Sequence, residues 1–321
     1  MSLAIGLAFF VFALYSIRLQ ELWRVIVESF NLNLFLCLVL WVFSILFQTW
    51  RWHMMLSWRK PVSFHASLKF FIINRLSNLL LPFRPGEGVR VVAANRQLRI
   101  DVPYLIATVL NERILNVLFL AFIGFTLTFY IDPLRPYRMA LFPVIIAFLA
   151  VILWILWQRQ NGIETDIAQV EEPELRGRSR LYVFWTKLVR GIAILKTPHI
   201  LAGSLVSSLV SWCCVWFGIL LMSKSLKPDE PMICALAVLF FMNIVSLMHL
   251  TPSNIGPFQW GCILAFSYFG VGKTEAVGFS LVLQSVRIVA ACIIGLYSGF
   301  RTFILPGLKN KHSEIFKAAS D

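Results

Sequence analysis

Long runs of apolar residues alternate with short polar segments along almost the whole chain. A transmembrane helix needs roughly 20 apolar residues. Six runs approach or exceed this length, at 2–17, 32–50, 101–131, 137–157, 199–222 and 274–305. The second run ends in the aromatic and basic sequence at 50–53, which is typical of a membrane edge. The pattern predicts an all-α polytopic membrane protein with about six full transmembrane helices.

Two further apolar segments, 64–100 and 232–270, are interrupted by proline and glycine. Helix breaks are predicted at Pro82, Gly86, Pro252 and Gly256. Broken helices at membrane depth are typical of re-entrant hairpins that line a polar site. Because the order of span, broken segment and long span occurs twice, we expect an inverted repeat in which the two hairpins enter from opposite sides.

Composition agrees with a membrane protein. Hydrophobic residues make up 59% of the chain and charged residues 14%, with a mean hydropathy of +0.77, which excludes an ordinary soluble domain. The net charge of +13 is scattered between apolar runs, so it indicates basic cytoplasmic loops and anionic lipid rather than nucleic acid. We expect a plasma membrane protein of bacterial type with both termini in the cytoplasm.

These patterns divide the chain into four predicted regions. The first membrane half covers 1–157 and contains the broken segment 64–100. A cytoplasmic loop and a basic interfacial helix follow at 158–197. The second membrane half covers 198–305 and contains the broken segment 232–270, and a basic tail occupies 306–321.

Glu87, Glu112, Arg113 and Arg287 are the charged residues expected at membrane depth, and Arg84 and Arg90 flank the first break. One interpretation is a polar cavity in which arginines bind the phosphate of a lipid head group, helped by backbone amides at the broken helix ends. The other is that each glutamate pairs with an arginine and only neutralises buried charge. The polar stripes 108–116 and 280–287 are typical of either helix packing or cavity lining.

Enzymatic and metal chemistry find little support in the sequence. Ser253 and His249 lie too close together for a hydrolase site and lack its motif. The six cysteines lie in apolar runs and the five histidines are dispersed, without metal-ligand spacing. We therefore predict no enzyme activity, no metal and no cofactor.

Several short motifs resemble the lysylphosphatidylglycerol synthase transmembrane region, also called the flippase-like domain family. In the first half they are Arg51-Trp52, the segment from Asn78 through Pro82, Arg84, Gly86 and Glu87 to Arg90, and Glu112-Arg113. In the second half they are Pro252-Ser253, Gly256 to Gln259, and Arg287. Gln259 departs from the family, since many relatives carry an acidic residue there. The chain extends to Asp321, so we expect no soluble aminoacyl-transferase domain.

The resemblance implies movement of a lipid between leaflets, with an anionic or glycosylated phospholipid or polyprenyl lipid as substrate. The alternative is a non-transporting scaffold for a glycosyltransferase or for another enzyme that modifies hopanoids or glycolipids. The expected partners are therefore a membrane lipid and such an enzyme. The predicted substrate-binding residues are Arg84, Glu87, Arg90, Glu112, Arg113, Gln259, Gln284 and Arg287.

Overall fold

The computed structural model describes residues 19–28, 31–81, 85–143, 145–146, 197–246 and 251–299, with positions 184, 187, 188, 191 and 194. The predicted span at 2–17, most of 137–157 and of 158–197, and the tail at 306–321 lie outside the described residues. Pro82 and Arg84 also lie outside them, so their predicted roles stay predictions.

All regular elements in the described part are helical. The α-helices are α1 (Leu19–Glu28), α2 (Leu32–Arg59), α3 (Phe64–Leu80), α4 (Gly86–Leu98), α5 (Val102–Leu127), α6 (Pro198–Ser223), α7 (Pro231–Ser246), α8 (Pro257–Ser267) and α9 (Lys273–Gly299). Short 3-10 turns occupy Asp132–Tyr137, Lys224–Leu226 and Pro252–Asn254. Helices α2, α5, α6 and α9 are long and apolar enough to cross a membrane. The structure confirms a helical membrane fold, while the total of six spans stays a prediction.

Helix α2 continues past the predicted end of its span and stops at Arg59. Its start is capped by the side chain of Asn31. Arg51 and Trp52, expected at a membrane edge, instead lie inside this helix and are buried. Both side chains find polar partners on neighbouring helices, as described below, and their position relative to a membrane edge stays a prediction.

Both predicted helix breaks are present. Helix α3 ends at Leu80 and α4 begins at Gly86, and the two short helices pack against each other. Between α7 and α8 the backbone takes left-handed conformations at Ser253 and Asn254 and reaches a φ of 93° at Gly256. A side chain at Gly256 would be strained, so glycine is required there.

The two halves repeat one order of helices, since α2–α5 and α6–α9 each run long, short, short, long. Contacts between the halves are reciprocal: α3 packs on α9 as α7 packs on α5, and α2 contacts α9 as α6 contacts α5. Helix α2 also packs along its own counterpart, α6. Such an exchange of partners is expected of halves related by a two-fold axis. The opposite orientation of the halves in a membrane stays a prediction.

Candidate functional site

A cavity of about 290 Å³ lies between the two halves. Its lining comes from helices of both halves and from the second break. The charged lining residues are Arg51, Arg75, Glu87, Glu112, Arg113 and Arg287. The volume is at the small end of the range for ligand pockets, so it suits a polar head group rather than a whole lipid.

Glu112 is held by an arginine behind the cavity wall. Nη2 of Arg90 donates to Oε2 of Glu112 at 2.6 Å, and the Arg90 side chain is fully buried. The guanidinium lies 4.5 Å from the ring centroid of Trp52 and 5.4 Å from that of Phe71, which favours a cation in an apolar setting. Within the part that the structure describes, Oε1 of Glu112 has no hydrogen-bond partner. Arg90 therefore positions Glu112, which lines the cavity itself.

The aromatic ring beneath Arg90 is fixed from a second helix. Nε1 of Trp52, on α2, donates to Oγ1 of Thr108, on α5, at 3.0 Å. Glu112 follows Thr108 by one helical turn, so the polar stripe predicted on this helix serves packing at one end and the cavity at the other. The stripe on this helix therefore contributes both to helix packing and to the cavity lining.

Glu87 and Arg113 form the second ion pair, which links α4 to α5 at the cavity wall. Both side chains are partly exposed. Neighbouring residues on a helix point about 100° apart, so Glu112 and Arg113 reach different partners. The structure thus pairs each glutamate with an arginine on the neighbouring helix, and both pairs join α4 to α5.

Arg51 is a cavity residue that sequence analysis missed. Its Nη1 donates to Oδ1 of Asn116 at 3.1 Å and to Oγ of Ser208 at 2.7 Å. The residue is 3% exposed, and no ion pair reaches it from the described helices. The sequence contains one signal for it: Gln48 precedes Arg51 by three residues within an apolar run, so the two polar side chains share a helix face.

Two glutamines of the second half form a hydrogen-bonded chain. The amide of Gly256 donates to Oε1 of Gln259 at 2.7 Å, which leaves Nε2 of Gln259 to donate to Oε1 of Gln284 at 2.7 Å. Nε2 of Gln284 then donates to the carbonyl oxygen of Ser253 at 2.9 Å. Backbone groups at both ends fix the orientation of both amides. A glutamate at position 259 would lack the amide N–H that donates to Oε1 of Gln284.

Arg287 reaches the cavity from α9 and lies over aromatic rings. Its guanidinium carbon is 4.9 Å from the ring centroid of Phe258 and 5.6 Å from that of Trp41. No hydrogen bond or ion pair connects Arg287 to another residue in the described ranges. The group faces the cavity as a cation without a counter-ion from this part of the protein.

The first amide of each broken helix is already bonded to a side chain. The amide of Gly86 donates to Oδ1 of Asn78 at 2.9 Å, and Gly256 is bound by Gln259 as described above. A bound anion would therefore depend on arginine side chains more than on these two amides. Gly86 and Gly256 shape the breaks, and Pro252 begins the turn between α7 and α8.

The structure brings five of the predicted binding residues to one cavity and places two behind it. Glu87, Glu112, Arg113, Gln284 and Arg287 line the cavity. Arg90 and Gln259 are buried behind the lining, where each supports a lining residue. In the described part of the chain, no three His, Cys, Asp or Glu side chains are close enough to hold a metal ion.

The family model described as Lysylphosphatidylglycerol synthase TM region matches residues 1–295. The chain belongs to this family. Comparison with curated proteins and with solved structures found no match. The matched residues of this lysylphosphatidylglycerol synthase TM region protein include every residue that lines the cavity. Together with the four long apolar helices in the described part, the match makes the chain a multi-pass membrane protein.

Proposed function

We propose that this protein binds the anionic head group of a lipid in the cavity between its halves and moves that lipid between the leaflets of a membrane. The observation that carries the proposal is the excess of positive charge in the lining, where four arginines face two glutamates. Ionisable groups at membrane depth are costly and are usually functional. Arginine binds phosphate oxygens through a planar fork of N–H groups.

The size and polarity of the cavity support the same proposal. Amide and hydroxyl groups line it beside the arginines, including those of Gln48, Asn116, Ser208 and Gln284. A head group can exchange hydrogen bonds with water for hydrogen bonds with these groups, while the acyl chains stay among lipids. The same groups can bind sugar hydroxyls, so the proposal includes glycosylated anionic lipids.

Arg113→Gln tests this function most directly. The change leaves the carboxylate of Glu87 at the cavity without its counter-ion, so a negative charge repels the incoming head group. Loss of one arginine–phosphate contact adds to this effect, and we expect lipid movement to slow by about tenfold or more. Vesicles that contain the purified protein and fluorescent anionic or zwitterionic lipids give the rate.

Arg135→Gln is the matched control, because Arg135 forms an exposed ion pair with Asp132 away from the cavity. It should leave the rate unchanged, since exposed pairs contribute little. Wild-type rates in the Arg113→Gln protein would contradict the proposal. Absence of lipid movement by the wild type, with retained support of a glycosyltransferase by Arg113→Gln, would favour the scaffold alternative.

A further inference from the structure

The two carboxylates at the cavity are already balanced. Glu112 is paired with Arg90, and Glu87 is paired with Arg113. The two charges of an ion pair largely cancel at a distance, so these four residues add little net charge to the cavity. The remaining charge of the lining comes from its other arginines.

Arg51 is one of these arginines, and it is more deeply buried than Arg287. Both of its hydrogen bonds leave from Nη1 and go to neutral groups, on Asn116 and Ser208. Its Nε has no partner among the atoms that the structure describes. Neutral dipoles orient a guanidinium but do not cancel its charge, and a buried charge without a counter-ion is costly. Residues of α2, α5 and α6 therefore place the Arg51 side chain in the cavity wall, and neither of its hydrogen-bond partners is an anion.

Arg287 is the second such arginine and comes from the other half. Aromatic rings lie against it, but no carboxylate among the described residues does. Glu112 also attracts Arg51, but Glu112 is already paired with Arg90, and Arg90 and Arg113 repel Arg51. Among the described residues, the cavity lining therefore includes two arginines without a paired carboxylate, Arg51 from the first half and Arg287 from the second.

We propose that the cavity selects a phosphate head group with two negative charges, a phosphomonoester or a diphosphate, over a phosphodiester, and that Arg51 and Arg287 bind it. This inference rests on the proposed lipid-binding function. A terminal phosphate carries about −1.5 to −2 at pH 7 and offers three acceptor oxygens, whereas a phosphodiester carries a single charge. Two guanidinium groups match a dianion in both charge and number of donors.

The test is equilibrium binding by the purified full chain in detergent, at pH 7.5. The probe is a fluorescent short-chain phosphatidic acid, and the competitors are phosphatidylglycerol, phosphatidylcholine and farnesyl diphosphate. We expect phosphatidic acid, farnesyl diphosphate or both to bind about tenfold or more tightly than phosphatidylglycerol. Which of the two binds better distinguishes a phosphomonoester from a diphosphate. Equal binding of phosphatidylglycerol would overturn the proposal.

Variants that remove a positive charge test which residues give the selectivity for the dianion. Arg51→Gln and Arg287→Gln should each reduce the preference for the dianion by about tenfold, while Arg51→Lys keeps part of it and Arg135→Gln keeps all of it. If Arg51→Gln fails to fold, Arg287→Gln carries the test alone. Retained preference in the folded variants would overturn the assignment. Dianion-selective binding without lipid movement would contradict the proposed transport but not this inference. Lipid movement without selectivity for the dianion would contradict this inference but not the proposed transport.

Discussion

Gly86→Ala is the substitution that the first helix break should tolerate least. An ideal Cβ at Gly86 would overlap the backbone carbonyl oxygen of Asn74 and lie 2.6 Å from Oδ1 of Asn78. The carbonyl belongs to helix α3 and cannot rotate away without opening the helix. The Gly86 amide also donates to that Asn78 oxygen, so any shift that relieves the overlap weakens the hydrogen bond across the break.

The expected magnitude follows from these two contacts. Inserting a methyl group into a packed site costs about 1–3 kcal/mol and loss of a capping bond about 1 kcal/mol, so Gly86→Ala should destabilise the protein by about 2–4 kcal/mol. Gly88→Ala is the matched control, two residues further along the same helix. A Cβ at Gly88 meets nothing within 4 Å, and alanine there should stabilise by about 0.5–1 kcal/mol because of its higher helix propensity.

Thermal unfolding of the two variants in detergent, followed by tryptophan fluorescence, gives the comparison. One kcal/mol corresponds to about 2 °C in Tm for a chain of this size. We therefore expect Gly86→Ala to unfold several degrees below wild type and Gly88→Ala at or slightly above it. Equal Tm values for the two variants would refute the close approach of α3 and α4 on which the reasoning rests.

Two further predictions concern the groups behind the cavity. Arg90→Met leaves Glu112 buried and unpaired and should cost about 3–5 kcal/mol, whereas adding Glu112→Leu removes both charges and should recover much of the loss. Unfolding midpoints of both single variants and of the double variant measure this coupling, and additive effects would contradict the pair. Gln259→Glu at pH 8 keeps an acceptor for Gly256 but loses the donor to Gln284, so Tm should fall by an amount equivalent to about 1–3 kcal/mol. A Tm equal to that of wild type would argue against the glutamine chain.

Sequence patterns predicted the elements better than the contacts between them. Proline and glycine at 252 and 256 and glycine at 86 mark real breaks, because backbone chemistry is local. The end of α2 was misplaced since Arg51 looks like an interfacial residue when its neighbours in space are unknown. Its partners, Asn116 and Ser208, are far away in sequence, so only the tertiary fold shows that a cation is accommodated there.

The sequence also did not show which arginine pairs with which glutamate. In one of the two interpretations from sequence, Glu87 and Glu112 pair with Arg84, Arg90 or Arg113, and the choice of partner stayed open. Two facts from the fold decide it: α4 packs on α5, and Arg90 is fully buried between rings. Burial of Arg90 was not predictable from composition, because a short polar helix with this sequence is also typical of a membrane surface.

The two arginines without a paired carboxylate come from different halves of the protein, so their placement connects binding to the contact between the halves. Arg51 belongs to the first half and Arg287 to the second, and the halves meet where α2 packs along α6. Ser44 and Ser211 share a hydrogen bond of 2.8 Å across this seam. A dianion held by both arginines would add a further link between the halves. Its release would require that link to break, so a ligand of this charge would favour the arrangement in which the two halves are close together.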